Sequence, residues 1–374
     1  MKTWQTLMCL ACIIPPGSAL AQNTQTPFFD DFNGTQLDLS HWKIMKSQWG
    51  KDNGGVVPDN VVVSNGLLHL FAHGDLYTGP VHGVGKKGQR VDRITRVGAA
   101  IVTKNYFDSG RFEARIKLPP HLGSCSAIWT YHYEETYPGD PLYAQLQKIG
   151  GLTANDFQKV GLTADQANNL ITDLISTNAD RLPYLEPTTN GIYHTTEAFR
   201  NVASAEQMVL ANDFNLKTPI YNTLANGASL DLVDGGLIRN EEIDIEIPTA
   251  LKTPSEISYQ HARFNNWVGA NTGEYTDRFD ELQKAMNDGQ FHTFRFDWHT
   301  GDLSQPQRVE YYIDNVCYQT NYTHVPTIGG QFTLGVWFPT WTGKRDFDTQ
   351  ELDVDWVRIT PFNEKGDEWA PETF

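Results

Sequence analysis

Three carboxylates alternate with three isoleucines in the stretch EEIDIEI, residues 241–247: Glu242, Asp244 and Glu246 against Ile243, Ile245 and Ile247. In an extended strand, residues two apart face the same way, so the acids share one face and the isoleucines the other. Such an alternation suits a solvated strand edge, where charge discourages aggregation. It also suits chemistry. Carboxylates crowded in one cleft cannot all ionise, so one keeps its proton above the ordinary range. Glycoside hydrolysis uses such a pair, one ionised as nucleophile and one protonated to release the leaving oxygen, with carboxyl groups about 5–5.5 Å apart in retaining enzymes. Four extended residues separate the Cα atoms of Glu242 and Glu246 by roughly 13 Å. Their side chains must therefore lean together over a curved sheet, with Asp244 between them.

The elements that would position this strand are mostly strands themselves. Residues 28–133 alternate β-branched or aromatic residues with polar ones, as in VVVSNGLLHLFA (61–72), AAIVTKNYFDSGRFEARIKLP (99–119) and CSAIWTYHY (125–133), and Asn65-Gly66 signals a hairpin. The same texture returns over 241–362, in EISYQHARF (256–264), FHTFRFDWHT (291–300), RVEYYIDNVCYQT (308–320), QFTLGVWFP (331–339) and LDVDWVRIT (352–360). Between them, 134–240 differs. GLTANDFQKV and GLTADQANNL echo each other over 151–170, each with a Thr three residues before Asp156 or Gln166, and AEQMVLANDF (205–214) has a helical pattern. The expectation is one antiparallel β-sandwich interrupted by a mainly helical insertion over 134–240.

Composition narrows the partners. The net charge is −16 and the pI about 5.0, which argues against nucleic acid, whose phosphates demand Lys and Arg. A neutral polymer fits best, although a locally basic cleft would override the average. Lys2, the apolar run WQTLMCLACII (4–14) and the small residues Ala19 and Ala21 have the form of a secretory signal over 1–21, cleaved near Ala21. The mature chain, 22–374, is expected to be secreted or periplasmic. The apolar run is too short to span a bilayer, and no membrane span is expected. Cys125 and Cys317 would remain, either as a disulfide or as two thiols. No ligand cluster points to catalytic zinc.

EEIDIEI resembles the signature strand of glycoside hydrolase family 16 in its uninterrupted ExDxE form. FFDDFNG with LSHW (28–42), GRFEARIKLP (110–119), FHTFRFDW and VEYYIDN (291–315), GVWFPTWTG (335–343) and VDWVRI (354–359) follow in the order of that family. The resemblance covers 28–133 and 241–362 but not the insertion. It implies an all-β jelly-roll sandwich whose concave sheet carries a glycan cleft. It further implies Glu242 as nucleophile, Glu246 as acid/base and Asp244 as the assisting carboxylate, with no cofactor for catalysis.

By the same resemblance, Trp129 and Tyr131 on one strand, and Trp337 and Trp341 later, are expected to bind sugar; each has core packing as its alternative. His261 and Trp267 are further candidates. Trp298 and Trp356 are expected to be structural. The resemblance also suggests a structural calcium at Asp355, which otherwise caps a turn or pairs with Arg358. The expected activity is that of a secreted retaining endo-β-glucanase acting on β-1,3/1,4- or β-1,3-glucan, as a monomer. A cell-wall transglycosylase with the same strand is the alternative, and a non-catalytic carbohydrate-binding sandwich the lesser one. The chain departs from lichenases, the mixed-linkage glucanases of the family, at Asn240, where they carry Trp, and at Ala99 and Ile101, where they carry Glu and Arg. The insertion enters beside the acid strand, so it is expected to shape or cover one end of the cleft.

Overall fold

Period-two alternation builds strands almost everywhere it occurs in this chain. The computed structural model describes residues 25–136, 185–187, 193–195, 231–233, 236–268, 274–301, 306–326, 328–364 and 366–367. Among these, the strands in chain order are β1 (Phe28–Asp30), β2 (Trp42–Ile44), β3 (Val61–Ser64), β4 (Leu67–His73), β5 (Ala99–Phe107), β6 (Gly110–Lys117), β7 (Cys125–Thr136), β8 (Leu185–Pro187), β9 (Tyr193–Thr195), β10 (Asp231–Val233), β11 (Gly236–Ile247), β12 (His261–Val268), β13 (Glu274–Glu281), β14 (His292–His299), β15 (Arg308–Ile313), β16 (Val316–Asn321), β17 (Gly330–Trp337) and β18 (Thr349–Pro361).

They form two antiparallel sheets. One runs β13-β12-β11-β7-β17-β5-β2, with β10 also on β11; the other runs β16-β15-β14-β6-β18-β4-β3, with β1 also on β18. The expected all-β sandwich is thus present. Its core lies between the sheets, where Ile243, Ile245 and Ile247 of β11 are buried with Phe112, Phe264, Phe294, Phe296 and Trp298. Phe112 and Phe296 stack at 4.8 Å, and Trp298 Nε1 donates to the Pro326 carbonyl at 2.8 Å. Removing an isoleucine side chain from water is worth about 1.5–3 kcal/mol, so this face fixes which way β11 turns. The Asn65-Gly66 hairpin forms between β3 and β4, with φ of 54° and 73° at its two residues.

Three expectations need correction. Residues 256–260 do not extend β12, because Pro254–Glu256 closes a 3-10 turn and the strand begins at His261. The break at 134–240 is also displaced: β7 continues to Thr136 and β11 begins at Gly236, with Leu237 paired to Thr136, so the two strands keep pairing beyond the apolar run. The described pieces within the insertion are strands, the β8–β9 pair and β10, rather than helices. The helix starts expected near 153 and 163, the helix over 205–214 and the signal segment 1–21 lie outside the described residues. Cys125 and Cys317 are both free thiols, the first buried on β7 and the second exposed on β16 in the opposite sheet.

Because Ile245 is 2% exposed and closely packed, Ile245→Ala should lower stability by about 2–5 kcal/mol. Urea denaturation followed by tryptophan fluorescence measures it, and a loss below ~1 kcal/mol would contradict the core position.

Candidate active site

Antiparallel register carries the face of β11 across the sheet. Asp244 pairs with Asn265 on β12 and with Trp129 on β7. Trp129 pairs with Thr333 on β17, Thr333 with Val102 on β5, and Val102 with Lys43 on β2. All six line a single cleft of about 720 Å³ on the outer face of the sheet. The rows on either side place Glu242 between Trp267 and Tyr131, and Glu246 between Arg263 and Ala127. Glu242, Asp244, Glu246, Trp129, Tyr131, Trp337 and Trp341 therefore converge on one cleft, as their spacing suggested.

The three acids are not equivalent. Asp244 and Glu246 are buried and Glu242 is half-buried. Loss of solvent, then the charge of Glu246, pushes Glu242 up to about 7, while hydrogen bonds from Asp244 and Asn240 and the charge of Arg263 oppose that rise. Burial first, then the charges of Glu242 and Glu246, pushes Asp244 well above the carboxylate range. Asp244 thus holds a proton and donates it in a hydrogen bond to Glu242, which favours the ionised form of Glu242. Arg263 Nη1 donates to Glu246 Oε2 at 3.1 Å, and the Cys125 thiol lies 4.0 Å from Glu246 Oε1. The Arg263 guanidinium also sits over the rings of Trp341, at 5.1 Å, and Phe279, at 5.6 Å.

The aromatic residues divide by exposure. Tyr131 and Tyr133 stack at 6.1 Å with an interplanar angle of 9°, and are 38% and 42% exposed. Trp129 borders the cleft but is only 9% exposed, packed among Val56, Ala100 and Ala127. Trp49 bridges Trp129 and Trp337, at 6.3 and 6.2 Å, and Trp337 meets Trp341 at 5.4 Å. Three buried polar atoms of lining residues, Asn240 Oδ1, Asn265 Oδ1 and Trp341 Nε1, have no hydrogen-bond partner among the described residues. Buried polar groups are rarely left so.

Some expected residues fall elsewhere. His261 begins β12 two residues before Arg263 and does not line the cleft. Ala99 and Ile101 are buried in the core, so the cleft face of β5 is carried by Val102 instead. Asp355 lies on β18 in the other sheet, its carboxylate engaged by Arg115, while Arg358 donates to Glu113 at 2.8 Å. A calcium ion does not fit that donor set, because a guanidinium already holds the carboxylate and Asp355 belongs to no cluster of three or more His, Cys or acidic side chains among the described residues. Trp298 is buried in the core and Trp356 lies outside the cleft, under the guanidinium of Arg358. Sequence reasoning missed Trp49, Tyr133, Arg263, Asn265, Lys43 and Lys46. Alternation beyond Tyr131 points to Tyr133, and alternation before Trp267 points to Asn265 and Arg263, but Trp49 lies outside any strand and gives no such signal.

No family model matches the chain. A curated beta-glucanase from Paenibacillus polymyxa is 28% identical over 125 residues, covering 32% of this chain and 46% of that enzyme, so the chain matches about half its length. Solved structures with a similar arrangement include a beta-1,3-1,4-glucanase (lichenase) from a mouse hindgut metagenome, 16% identical with a TM-score of 0.47 over 90% of this chain and 100% of that one. A glycoside hydrolase family 16 endo-glucanase from Bacteroides ovatus is 15% identical, with a TM-score of 0.47 over 89% and 99%. LamAcat from Zobellia galactanivorans is 16% identical, with a TM-score of 0.47 over 91% and 98%. Over part of its length the chain is thus similar to a curated beta-glucanase, and its chemistry is read from its own cleft.

A carboxyl raised by folding keeps a proton that the unfolded chain has already released, so its contribution to stability is present below the unfolded value and lost as pH climbs to the folded one. For Glu242 that window runs from 4.5 to about 7. The stability of Glu242→Gln relative to the parent should therefore rise across it. Taking the difference between the two proteins cancels titrations remote from Glu242, such as that of His73, lowered to about 4 by burial, and leaves that of the crowded acids. Urea denaturation of both proteins at several pH values gives the difference directly; one independent of pH would refute the crowding of the acids.

Proposed function

We propose that this chain is an exported, retaining β-glucan hydrolase. One observation carries the reading: three carboxylates, two of them with raised proton affinity, face a cleft lined by aromatic rings. The partial match to a curated beta-glucanase supports glucan as the substrate, and the signal-like segment 1–21 supports export. No described helix is long and apolar enough to cross a membrane.

On this reading each step falls to a named side chain. A glycan lies across the strands, its rings against Tyr131, Tyr133 and Trp337. Glu242, in the ionised form that the Asp244 hydrogen bond favours against the opposing burial, attacks the anomeric carbon and forms a glycosyl ester. Glu246 gives its proton to the departing glycosidic oxygen, then takes one from the incoming water. Asp244 keeps its own proton throughout and follows the charge on Glu242, donating most strongly when that carboxylate is free. Arg263 fixes the Glu246 carboxylate and stacks on Trp341, which ties the acid to the wall of the cleft.

Product analysis by mass spectrometry with mixed-linkage glucan, laminarin and xyloglucan tests this. One glucan should yield short oligosaccharides whose new anomeric centre keeps its configuration by NMR. Glu242→Gln should lower turnover by about 10³-fold or more, and Glu246→Gln by about 10²–10⁴-fold. Products longer than a supplied oligosaccharide would make the chain a transglycosylase, in which a sugar hydroxyl replaces water. No product from any polymer would end the glucanase reading.

A further inference from the structure

The row that carries Asp244 ends four strands away on Lys43, about 19 Å distant at the usual strand spacing. Lys43 and Lys46 are exposed, both line the cleft, and neither has an ion-pair partner among the described residues. A tight turn adds to them. Gly88 N donates to Gly85 O at 2.9 Å and Gly85 N to Gln89 O at 2.8 Å, while Ser47 Oγ donates to Lys86 O at 3.3 Å. Gly88 has φ +72°, and a Cβ there would sit 2.9 Å from the Lys46 carbonyl, so the turn packs against the Lys46 backbone. Its exposed residues Lys86 and Lys87 are therefore held beside Lys46. Asp52, on the adjoining loop, is engaged by Arg93 and Arg96.

An exposed lysine is ordinary. Two on the floor of the cleft, flanked by two more, in a chain with 29 basic and 45 acidic residues, are not. The geometry points to a recognition site for an anionic substituent, a sulfate or a carboxylate, carried by the glycan several units from the bond that is cut. The inference rests on the glycan reading of the cleft. The acids of β11 repel such a group at one end and the lysines attract it at the other, so the substituent also fixes the direction in which the chain lies.

The test uses the full chain with Glu242→Gln to prevent turnover. Calorimetry measures Kd for neutral mixed-linkage glucan oligosaccharides and for their carboxymethylated and sulfated derivatives. The anionic ligands should bind about tenfold tighter at low salt, and the ratio should fall toward one at about 0.5 M salt. Lys43→Gln with Lys46→Gln should abolish the ratio, whereas the charge-matched pair Lys252→Gln and Lys284→Gln should keep it. The carboxymethyl and sulfate arms show which anion the site takes. A ratio near one in the parent, or a ratio that survives in the Lys43/Lys46 variant, overturns the inference, as does binding of no ligand at all. Anionic ligands bound through the lysines without any binding of the neutral one would uphold the site while ending the plain β-glucan reading.

Discussion

Crowding three carboxylates on one strand face, largely out of water, is the constraint on which the rest of the cleft depends. Desolvation and mutual repulsion both disfavour full ionisation, and β11 cannot relieve them by rotating. Its opposite face buries Ile243, Ile245 and Ile247 at 0%, 2% and 1% exposure. Because the side-chain period is two, a slip of one residue would put isoleucines in the cleft and acids in the core. The repulsion is therefore divided among the acids: Asp244 keeps a proton, Glu242 receives its hydrogen bond, and Glu246 receives Arg263. Each carboxylate has a different partner, and that difference is what gives three similar groups three roles.

The frame beneath is tied across the core by a polar contact as well as by packing. Tyr311 on β15, in the second sheet, donates its hydroxyl to the Asn265 carbonyl on β12 at 2.8 Å. Asn265 is the β12 partner of Asp244, so this bond fixes the backbone next to the acids. On the outer face of the second sheet, Asp297 accepts both nitrogens of Arg111, at 3.0 and 2.9 Å, and both of Arg295, at 2.8 Å each. Arg111 and Asp297 are cross-strand partners on β6 and β14. Such bidentate contacts are directional and hold strand register where aromatic packing alone tolerates sliding.

What could be read in the sequence follows from periodicity. The alternation in β11 gave the face of every acid, and the same rule on β7 placed Trp129 and Tyr131 beside them. The rule fails where backbone constraints intervene, as at Pro254, which has no N–H to offer a ladder and turns 254–256 into a 3-10 turn. It also fails for neighbours made by pairing. Arg263 stands beside Glu246 because β12 runs antiparallel to β11 in one register, and nothing in a single strand states that register. Ala99 and Ile101 stand where the resemblance places cleft residues, yet alternation on β5 sends both to the core and Val102 to the cleft. Trp49, Lys46 and Lys43 on β2 reach the cleft only through tertiary folding.

The exposure of the aromatic rings says how binding energy is distributed along the cleft. Trp129, opposite Asp244, is almost wholly covered by protein and offers the cleft little surface. The parallel, half-open pair Tyr131 and Tyr133 offers faces, next to Glu242 and Asn240 on β11. A sugar ring stacked on those faces gains apolar contact, whereas a ring over Trp129 gains little beyond hydrogen bonds to Asn265 and the acids. On the proposed glycan reading, affinity comes from the flanks and the centre holds its ring weakly in the ground state. That is the arrangement in which remote contacts support distortion at the reacting carbon rather than simply tightening the ground state, and it places the strongest electrostatic contacts where charge develops in the transition state.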